Sequence, residues 1–152
     1  MCRRVNRQLT ALPDQLVRAL ARGEGGDNPA AVNWAVAGGV DCGLFQIRCY
    51  GPPYDHGALG LAFSPYRAGL RAMGTILGRA ATFADPHPQS PFTAIQLAVL
   101  AHNWPWAAGR YHRYGSLPNP DRPAPWVPAS LPASARTYGG WAAHYVATMT
   151  GS

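Results

Sequence analysis

Apolar residues recur at helical spacing in several segments of this chain, and the first lies near the N-terminus. This spacing predicts a helix from about Pro13 to Gly23, with an apolar face formed by Leu12, Leu16, Val17, Leu20 and Ala21. Proline is tolerated at the first helical position, because the N–H that it lacks would be unpaired there. Glycines at positions 23, 25 and 26 are predicted to end the helix.

Serine–proline pairs predict the starts of the next two helices. Ser64 and Pro65 precede a stripe at helical spacing, formed by Tyr66, Leu70, Met73 and Leu77. Ser90 and Pro91 precede a segment with apolar residues on most sides, which predicts a buried, central helix.

Two further helices are predicted towards the C-terminus. Asn103 and Pro105 favour a helix start, and Gly115 would end that helix. The last helix is predicted over 133–150, with an apolar face formed by Tyr138, Trp141, Ala142, Tyr145, Val146 and Met149.

The segments between these helices are irregular. Residues 27–60 contain short extended pieces around Ala31–Val36 and Val40–Ile47, which predict a small hairpin. Residues 116–133 are proline-rich and are predicted to follow the surface. The sequence therefore predicts a mainly α (α+β) fold, with a small β-hairpin or loop lobe after the first helix. We expect a single domain over 1–152, with residues 1–8 flexible.

The charge of the chain favours anionic partners. All 13 basic residues are arginine, against seven acidic ones, which gives a net charge of +6. The arginines are scattered, and only Arg3, Arg4 and Arg7 cluster. Because no nucleic-acid-binding motif accompanies them, we predict no nucleic-acid partner.

Three cysteines do not make a disulfide scaffold. Cys42 and Cys49 would bridge if a loop folded back, but nothing in the sequence requires it. Together with His56 they lack a recognised metal-ligand spacing, and we predict neither a metal nor a cofactor. No apolar run is long enough to span a membrane, and no apolar stretch follows the basic N-terminus, so we predict no signal peptide.

Glu24 is the only glutamate in the chain. It lies at the end of the first predicted helix, where the helix dipole disfavours another negative charge. A partly buried carboxyl in that position is expected to have a raised pKa, as a general acid requires. A solvated glutamate at a frayed helix end is the alternative.

Asp41 is the candidate partner of Glu24. Glycoside hydrolysis usually needs one carboxyl that donates a proton and another that stays ionised and stabilises or attacks the sugar cation. A helix end and a polar hairpin would supply the two environments. The alternative is that Asp41 is a turn residue.

The order of motifs from Arg22 to Ile47 resembles the catalytic segment of the lysozyme superfamily. The matching parts are Glu24, Asn28-Pro29, Ala31-Val32-Asn33 and Gly43-Leu44-Phe45-Gln46-Ile47, which are similar to lytic transglycosylases, and Asp41-Cys42-Gly43, which is similar to animal-type lysozymes. Weaker similarity extends to Tyr111 through Leu61–Pro65 and Leu100–Trp104.

This resemblance implies a lysozyme-like fold in which the β lobe flanks an active-site cleft. It also implies a peptidoglycan-cleaving glycosidase that acts on the β-1,4 bond between N-acetylmuramic acid and N-acetylglucosamine. Glu24 would be the general acid and base, Asp41 the stabiliser or nucleophile, and the substrate-binding residues would be Gln46, His102, Asn103 and Trp104. The alternatives are a lytic transglycosylase that uses Glu24 alone, and a non-catalytic peptidoglycan-binding structural protein.

The chain departs from the family pattern at Gly25, where serine is usual, and at Cys42 and His102, where tyrosine is usual. These departures leave open whether the reaction is hydrolysis or transglycosylation.

Several candidate ligand-binding residues also have structural alternatives. Gln46 would bind a sugar amide or tie the hairpin to the helices, and Asn103 would bind substrate or cap the next helix. Four tryptophans would either stack on sugar rings or pack in the core: Trp34, Trp104, Trp106 and Trp126. Trp104 is the strongest candidate for stacking.

The biological setting follows from the resemblance and the N-terminus. A compact wall-cleaving enzyme without a signal peptide suits a bacteriophage endolysin or a virion-associated enzyme that acts at the bacterial cell wall. A domain of a longer protein is a further alternative. Its partners would be peptidoglycan strands and, in a virion, other virion proteins. Outside a virion we expect a monomer.

Overall fold

A computed structural model of the chain describes residues 2–5, 8–11, 14–34, 38–51 and 58–151. The chain divides into two compact units, Met1–Thr75 and Ile76–Ser152. The described residues form six α-helices and two small antiparallel sheets. The predicted α+β class is confirmed at this level.

The first unit begins with a two-stranded hairpin. Strands β1 (Cys2–Val5) and β2 (Gln8–Ala11) pair antiparallel, from Cys2 opposite Ala11 to Val5 opposite Gln8. The flexibility predicted for residues 1–8 stays a prediction. Pairing of the two backbones satisfies their hydrogen bonds without an alternating apolar pattern, so the sequence gives little sign of it.

Helix α1 spans Asp14–Gly25 and follows the predicted apolar pattern. Leu16, Leu20 and Ala21 are buried, whereas the predicted N-terminal Pro13 lies outside the described residues. The chain leaves the helix at Gly26, which has a φ of 59°. Glu24 therefore belongs to the last turn of α1.

A three-stranded antiparallel sheet follows, with the order β3 (Val32–Asn33), β4 (Val40–Cys42) and β5 (Ile47–Tyr50). This sheet contains the predicted hairpin. A short helix α2 (Leu59–Ala62), which the sequence did not predict, adds Ala62 to the buried cluster of Val40, Cys42 and Cys49.

Helix α3 spans Pro65–Thr82 and begins as predicted. The hydroxyl oxygen of Ser64 accepts a bond from the backbone N–H of Arg67, over 3.4 Å. Met73 and Leu77 are buried, but Tyr66 is 68% exposed, so its predicted place in the apolar stripe is wrong. The whole first turn, residues 65–67, is exposed, so a helical spacing there does not produce burial.

In the second unit, α4 (Ala94–Asn103) is the most buried helix, as predicted, with every residue from Leu97 to Ala101 buried. Its predicted start at Ser90-Pro91 is wrong. Thr93 caps the helix, in a reciprocal arrangement with Gln96 known as a capping box. The hydroxyl of Ser90 bonds to the backbone of Phe92 instead, within the preceding turn.

Helix α5 spans Pro105–Tyr114 and ends at Gly115, in the left-handed conformation with φ 76°. Both features were predicted. Tyr111 of this helix is buried edge-on against Phe92, and burial raises the pKa of Tyr111.

The proline-rich segment contains no α-helix or strand between residues 116 and 132, as predicted. Backbone bonds tie it to the residues before the last helix, including Ala124 N–H to the carbonyl of Arg136 at 2.8 Å. The predicted helix over 133–150 is divided in two. A single 3-10 turn spans Ala133–Ala135, and α6 spans Tyr138–Thr150 with Thr137 as its N-cap. Within the described ranges, no helix has both the length and the apolar character needed to cross a membrane.

The capping box of α4 gives a stability prediction. Thr93→Ala removes the oxygen that accepts the N–H of Gln96, and we expect the free energy of unfolding to fall by about 1 kcal/mol. Chemical denaturation measures this loss. Ser116→Ala, at an exposed residue in the proline-rich segment, is the control and should change stability little. An unchanged midpoint in Thr93→Ala would contradict the assigned cap.

Candidate active site

Glu24 is half-buried in the last turn of α1, and its neighbour Gly25 packs against the turn that follows β4. A Cβ atom on Gly25 would lie 2.5 Å from the carbonyl oxygen of Leu44 and 2.9 Å from its Cα. Such distances are too short for any side chain, so the close contact requires glycine at this position. The serine that the resemblance to the lysozyme superfamily would place at position 25 does not fit this contact.

The turn itself, residues 43–46, is held by short-range bonds. Gly43 has a φ of 77°, and any side chain there would overlap the carbonyl oxygen of Ala62. Its N–H donates to the carbonyl of Ala31 over 2.8 Å, which joins the turn to the segment before β3. The turn therefore contacts the backbone of both Ala31 and Ala62, and the end of α1 packs against it through Gly25.

Gln46 closes this turn. It has a φ of 44°, and both its backbone N–H (3.2 Å) and its side-chain Nε2 (2.9 Å) donate to the carbonyl oxygen of Gly43. The structural alternative predicted for Gln46 was that its side chain joins the hairpin to the helices. The observed side-chain bond is within the turn, so the amide nitrogen stabilises the local backbone conformation.

Asp41 lies in the middle of β4, so the alternative that it is a turn residue is wrong. Its Oδ1 accepts a bond from Arg48 Nε on β5 at 2.7 Å, and both side chains are 21% exposed. The register places Asn33, Asp41 and Arg48 opposite one another across three strands, so their side chains share one face of the sheet. The carboxylate of Asp41 is thus held by a cationic neighbour.

Cys42 and Cys49 form a disulfide that joins β4 to β5, with Cα atoms 5.7 Å apart. This settles the pairing that the sequence left open. Disulfide sulfurs are not thiolate ligands, and His56 lies outside the described residues. Within the part of the chain that the structure describes, no group of three or more His, Cys, Asp or Glu side chains is placed to hold a metal ion.

The disulfide predicts a redox-sensitive stability. It closes a short loop between two adjacent strands, and its reduction is expected to lower the free energy of unfolding by about 2 kcal/mol. Thermal unfolding of the Cys42→Ser/Cys49→Ser variant, compared with Cys2→Ser, measures the effect. Reductant should lower the Tm of Cys2→Ser towards that of the double variant. An equal Tm for both variants under oxidising conditions would contradict the prediction.

The three remaining candidates belong to the second unit, at the junction of α4 and α5. His102 is half-buried, with its Nδ1 3.3 Å from Arg79 Nη1. Because a guanidinium only donates, Nδ1 is the acceptor in this bond. Asn103 is exposed and is the last residue of α4. Its predicted capping role is wrong, because Trp104 occupies the N-cap position of α5 and provides no side-chain cap bond.

Trp104 is the centre of an aromatic cluster formed by Trp104, Trp106, Trp126 and Tyr138. Its ring centroid lies 5.9 Å, 5.9 Å and 5.4 Å from those of the other three, in that order. Trp104 is half-buried, whereas Trp106 and Trp126 are each about half exposed. Trp104 packs inside this cluster, and Trp106 and Trp126 present ring surface to solvent. Stacking of these rings on sugar stays a prediction.

Sequence reasoning missed Arg48, Arg122 and Tyr138. Arg48 holds Asp41, and the guanidinium of Arg122 lies 5.2 Å from the ring centroid of Tyr138. Arg48 could have been noticed in the sequence because it comes two residues after Gln46. Its pairing with Asp41, however, depends on the register of the two strands. Trp34, also considered for stacking, is 77% exposed in the first unit.

Comparison with known proteins adds no relative: no family model matches the chain, and no characterised protein or solved structure is significantly similar to it.

Proposed function

We propose that this protein is a peptidoglycan-cleaving glycosidase of lysozyme-like architecture, with Glu24 as the general acid and base. The observation that supports this most is the placement of Glu24. The only glutamate of the chain is half-buried at a helix end, packed through Gly25 onto a turn of a small sheet that carries a second carboxylate. Glycosidic cleavage commonly uses a general acid together with a second carboxylate, and Glu24 and Asp41 would supply this pair.

In the proposed reaction, Glu24 protonates the oxygen that joins the two sugars. The C1–O bond breaks, the protonated sugar leaves as a neutral alcohol, and positive charge develops on the ring that keeps C1, where a nearby carboxylate stabilises it. Water completes hydrolysis, and Glu24 accepts its proton. Gln46 would contact the substrate through its amide oxygen, since its amide nitrogen donates to Gly43. An amide oxygen suits the N–H of an N-acetyl group.

The ion pair of Asp41 with Arg48 favours a second candidate reaction. The guanidinium of Arg48 lies 2.7 Å from the carboxylate of Asp41 and compensates part of its negative charge. The ion pair also gives Asp41 a structural role, which is to join two strands. If Asp41 has this role alone, Glu24 acts without a second carboxylate. The 6-hydroxyl of the sugar then attacks, and the product is a 1,6-anhydro ring, as in a lytic transglycosylase.

Two variants separate these reactions. Asp41→Asn removes the charge of Asp41 and the ion pair, whereas Arg48→Gln removes the ion pair and keeps the carboxylate. If Asp41 stabilises the transition state, we expect Asp41→Asn to lower the cleavage rate by about a hundredfold or more and Arg48→Gln to retain most of the rate. Equal losses in the two variants would show that Asp41 has only a structural role.

Product mass after digestion of purified peptidoglycan gives the independent readout. Reducing muramic acid ends are the expected product of hydrolysis. If the only ends are 1,6-anhydro ends, hydrolysis is excluded and transglycosylation is the reaction. If wild-type protein binds peptidoglycan and releases no fragments, the protein is the non-catalytic binding module instead.

We further propose that the protein acts at the bacterial cell wall. Disulfides persist outside reducing cytoplasm, so the Cys42–Cys49 bridge suits an enzyme that acts at the cell wall. A bacteriophage endolysin or a virion-associated enzyme meets this condition. Its substrate is the glycan strand, and virion proteins are partners only in the second case.

A further inference from the structure

One face of α5 forms an exposed pocket that the proposed chemistry does not use. Five residues share this face at helical spacing, and together with Pro105 they line a pocket of about 370 Å³: Trp106, Gly109, Arg110, Arg113 and Tyr114. We call it the α5 pocket. Gly109 opens its floor, because a Cβ atom there would meet nothing within 4 Å.

The pocket combines aromatic rings with guanidinium groups. The guanidinium carbon of Arg110 lies 4.1 Å from the ring centroid of Tyr114, and that of Arg113 lies 5.9 Å from the same centroid. Trp106 and Tyr114 are 50% and 48% exposed. Stacking on a ring orients a guanidinium while its N–H groups stay available to a planar anion.

None of the residues that line this pocket is acidic. The second unit contains only two acidic residues, Asp85 and Asp121, and neither lines the pocket. In the first unit, Asp27 and Asp41 are paired with Arg22 and Arg48. Arg110 Nε is buried and has no hydrogen-bond acceptor within the described part of the chain, so a ligand in the pocket would meet Arg110 through its terminal nitrogens.

We propose that the α5 pocket binds an N-acetylmuramic acid unit together with a carboxylate of the stem peptide that this sugar carries, with the carboxylate against Arg110 and Arg113 and the sugar ring against Trp106. This rests on the proposed function, since it names the part of the substrate that a second site would hold. Arg–carboxylate pairs are charge-assisted and often bidentate, which gives both strength and orientation. The volume suits one sugar ring with its acidic substituent. Single-stranded nucleic acid needs a basic groove that follows several phosphates, which two arginines on one helix face do not provide.

The test compares two double variants that each remove two positive charges. Arg110→Gln/Arg113→Gln alters the pocket, and Arg18→Gln/Arg67→Gln, at exposed residues of the first unit, is the matched control. Both are made in a Glu24→Gln background, so that the substrate is not digested. Binding is measured by cosedimentation with purified peptidoglycan free of teichoic acid, either native or with its carboxyl groups amidated.

We expect the pocket variant to bind native peptidoglycan about tenfold more weakly, while the control keeps its affinity. Amidation should weaken binding by the Glu24→Gln parent to a similar extent and have little further effect on the pocket variant. Arg113→Gln alone, at an exposed side chain, should give a partial loss without any risk to folding. Enzymatic removal of the stem peptides should abolish the difference between the variants. A difference that persists would overturn the proposal, because the bound carboxylate would then be the lactyl group that this removal frees.

Equal losses in the two double variants would overturn the proposal, because binding would then depend on net charge alone. So would a pocket variant that keeps its affinity for peptidoglycan and loses affinity for a single-stranded oligothymidylate. These outcomes concern binding, whereas failure of the proposed function would appear as a wild-type protein that releases no fragments. The two failures are therefore distinguishable.

Discussion

Glu24→Gln is expected to lower the rate of peptidoglycan cleavage by about a thousandfold while the fold stays intact. Glutamine keeps the size of the side chain and its ability to accept hydrogen bonds, but it cannot donate the proton that the bridging oxygen needs. Loss of a positioned general acid removes a factor of this order. Fragment release from purified peptidoglycan measures the rate, and the Tm and circular dichroism of the variant report its folding.

Asp27→Asn is the matched control for this variant. Asp27 lies three residues after Glu24, in the turn that follows α1, and its exposed carboxylate pairs with Arg22 at 3.1 Å. Its loss removes the same charge from the same region, and we expect cleavage within about twofold of wild type, since an exposed ion pair contributes little. Wild-type activity in Glu24→Gln would show that Glu24 is not the acid. Loss of activity in Asp27→Asn alone would point to a different carboxylate.

Helix ends with a complete local signal could be predicted from the sequence. Ser64 with Pro65, and Gly115 after α5, lie where the structure places a helix start and a helix end. Ser90-Pro91 shows the limit of such signals. The same stretch also contains Thr93 followed three residues later by Gln96, which is the capping-box spacing, and this reciprocal pair defines the helix start. The sequence therefore contains two signals for a helix start, and the helix begins at the capping box, which makes two hydrogen bonds to the backbone.

The candidate site was predictable in its residue types and not in its contacts. Glu24 could be singled out because it is the only glutamate and ends a helix. The pairing of Asp41 with Arg48 depends on the register of β4 and β5, which is shifted between Val40 and Asp41. A shift of one residue reverses the face on which a side chain lies, and the sequence does not encode such an irregularity visibly. The contact of Gly25 with Leu44 is likewise long-range, so the departure from serine had no explanation before the structure.

Gly25→Ser is expected to lower the free energy of unfolding by about 3 kcal/mol, the largest stability effect among these variants. The serine Cβ would lie 2.5 Å from the carbonyl oxygen of Leu44, in a turn whose backbone is held by the bonds of Gly43 and Gln46. Because the neighbouring atoms are backbone, relief requires α1 and the turn to separate, and Glu24 would move with the helix end. We therefore expect cleavage to fall as well.

Gly78→Ala is the control for this effect. Gly78 is an exposed interior residue of α3, and a Cβ atom there meets nothing within 4 Å, so alanine should stabilise the protein by about 0.5–1 kcal/mol through its better helix propensity. Urea denaturation of both variants measures the expected loss of stability in Gly25→Ser and the expected gain in Gly78→Ala. A Gly25→Ser protein as stable as wild type would mean that α1 does not pack on the turn through this glycine. The serine common in the resembled family would then be compatible with this fold, and its absence here would have no steric cause.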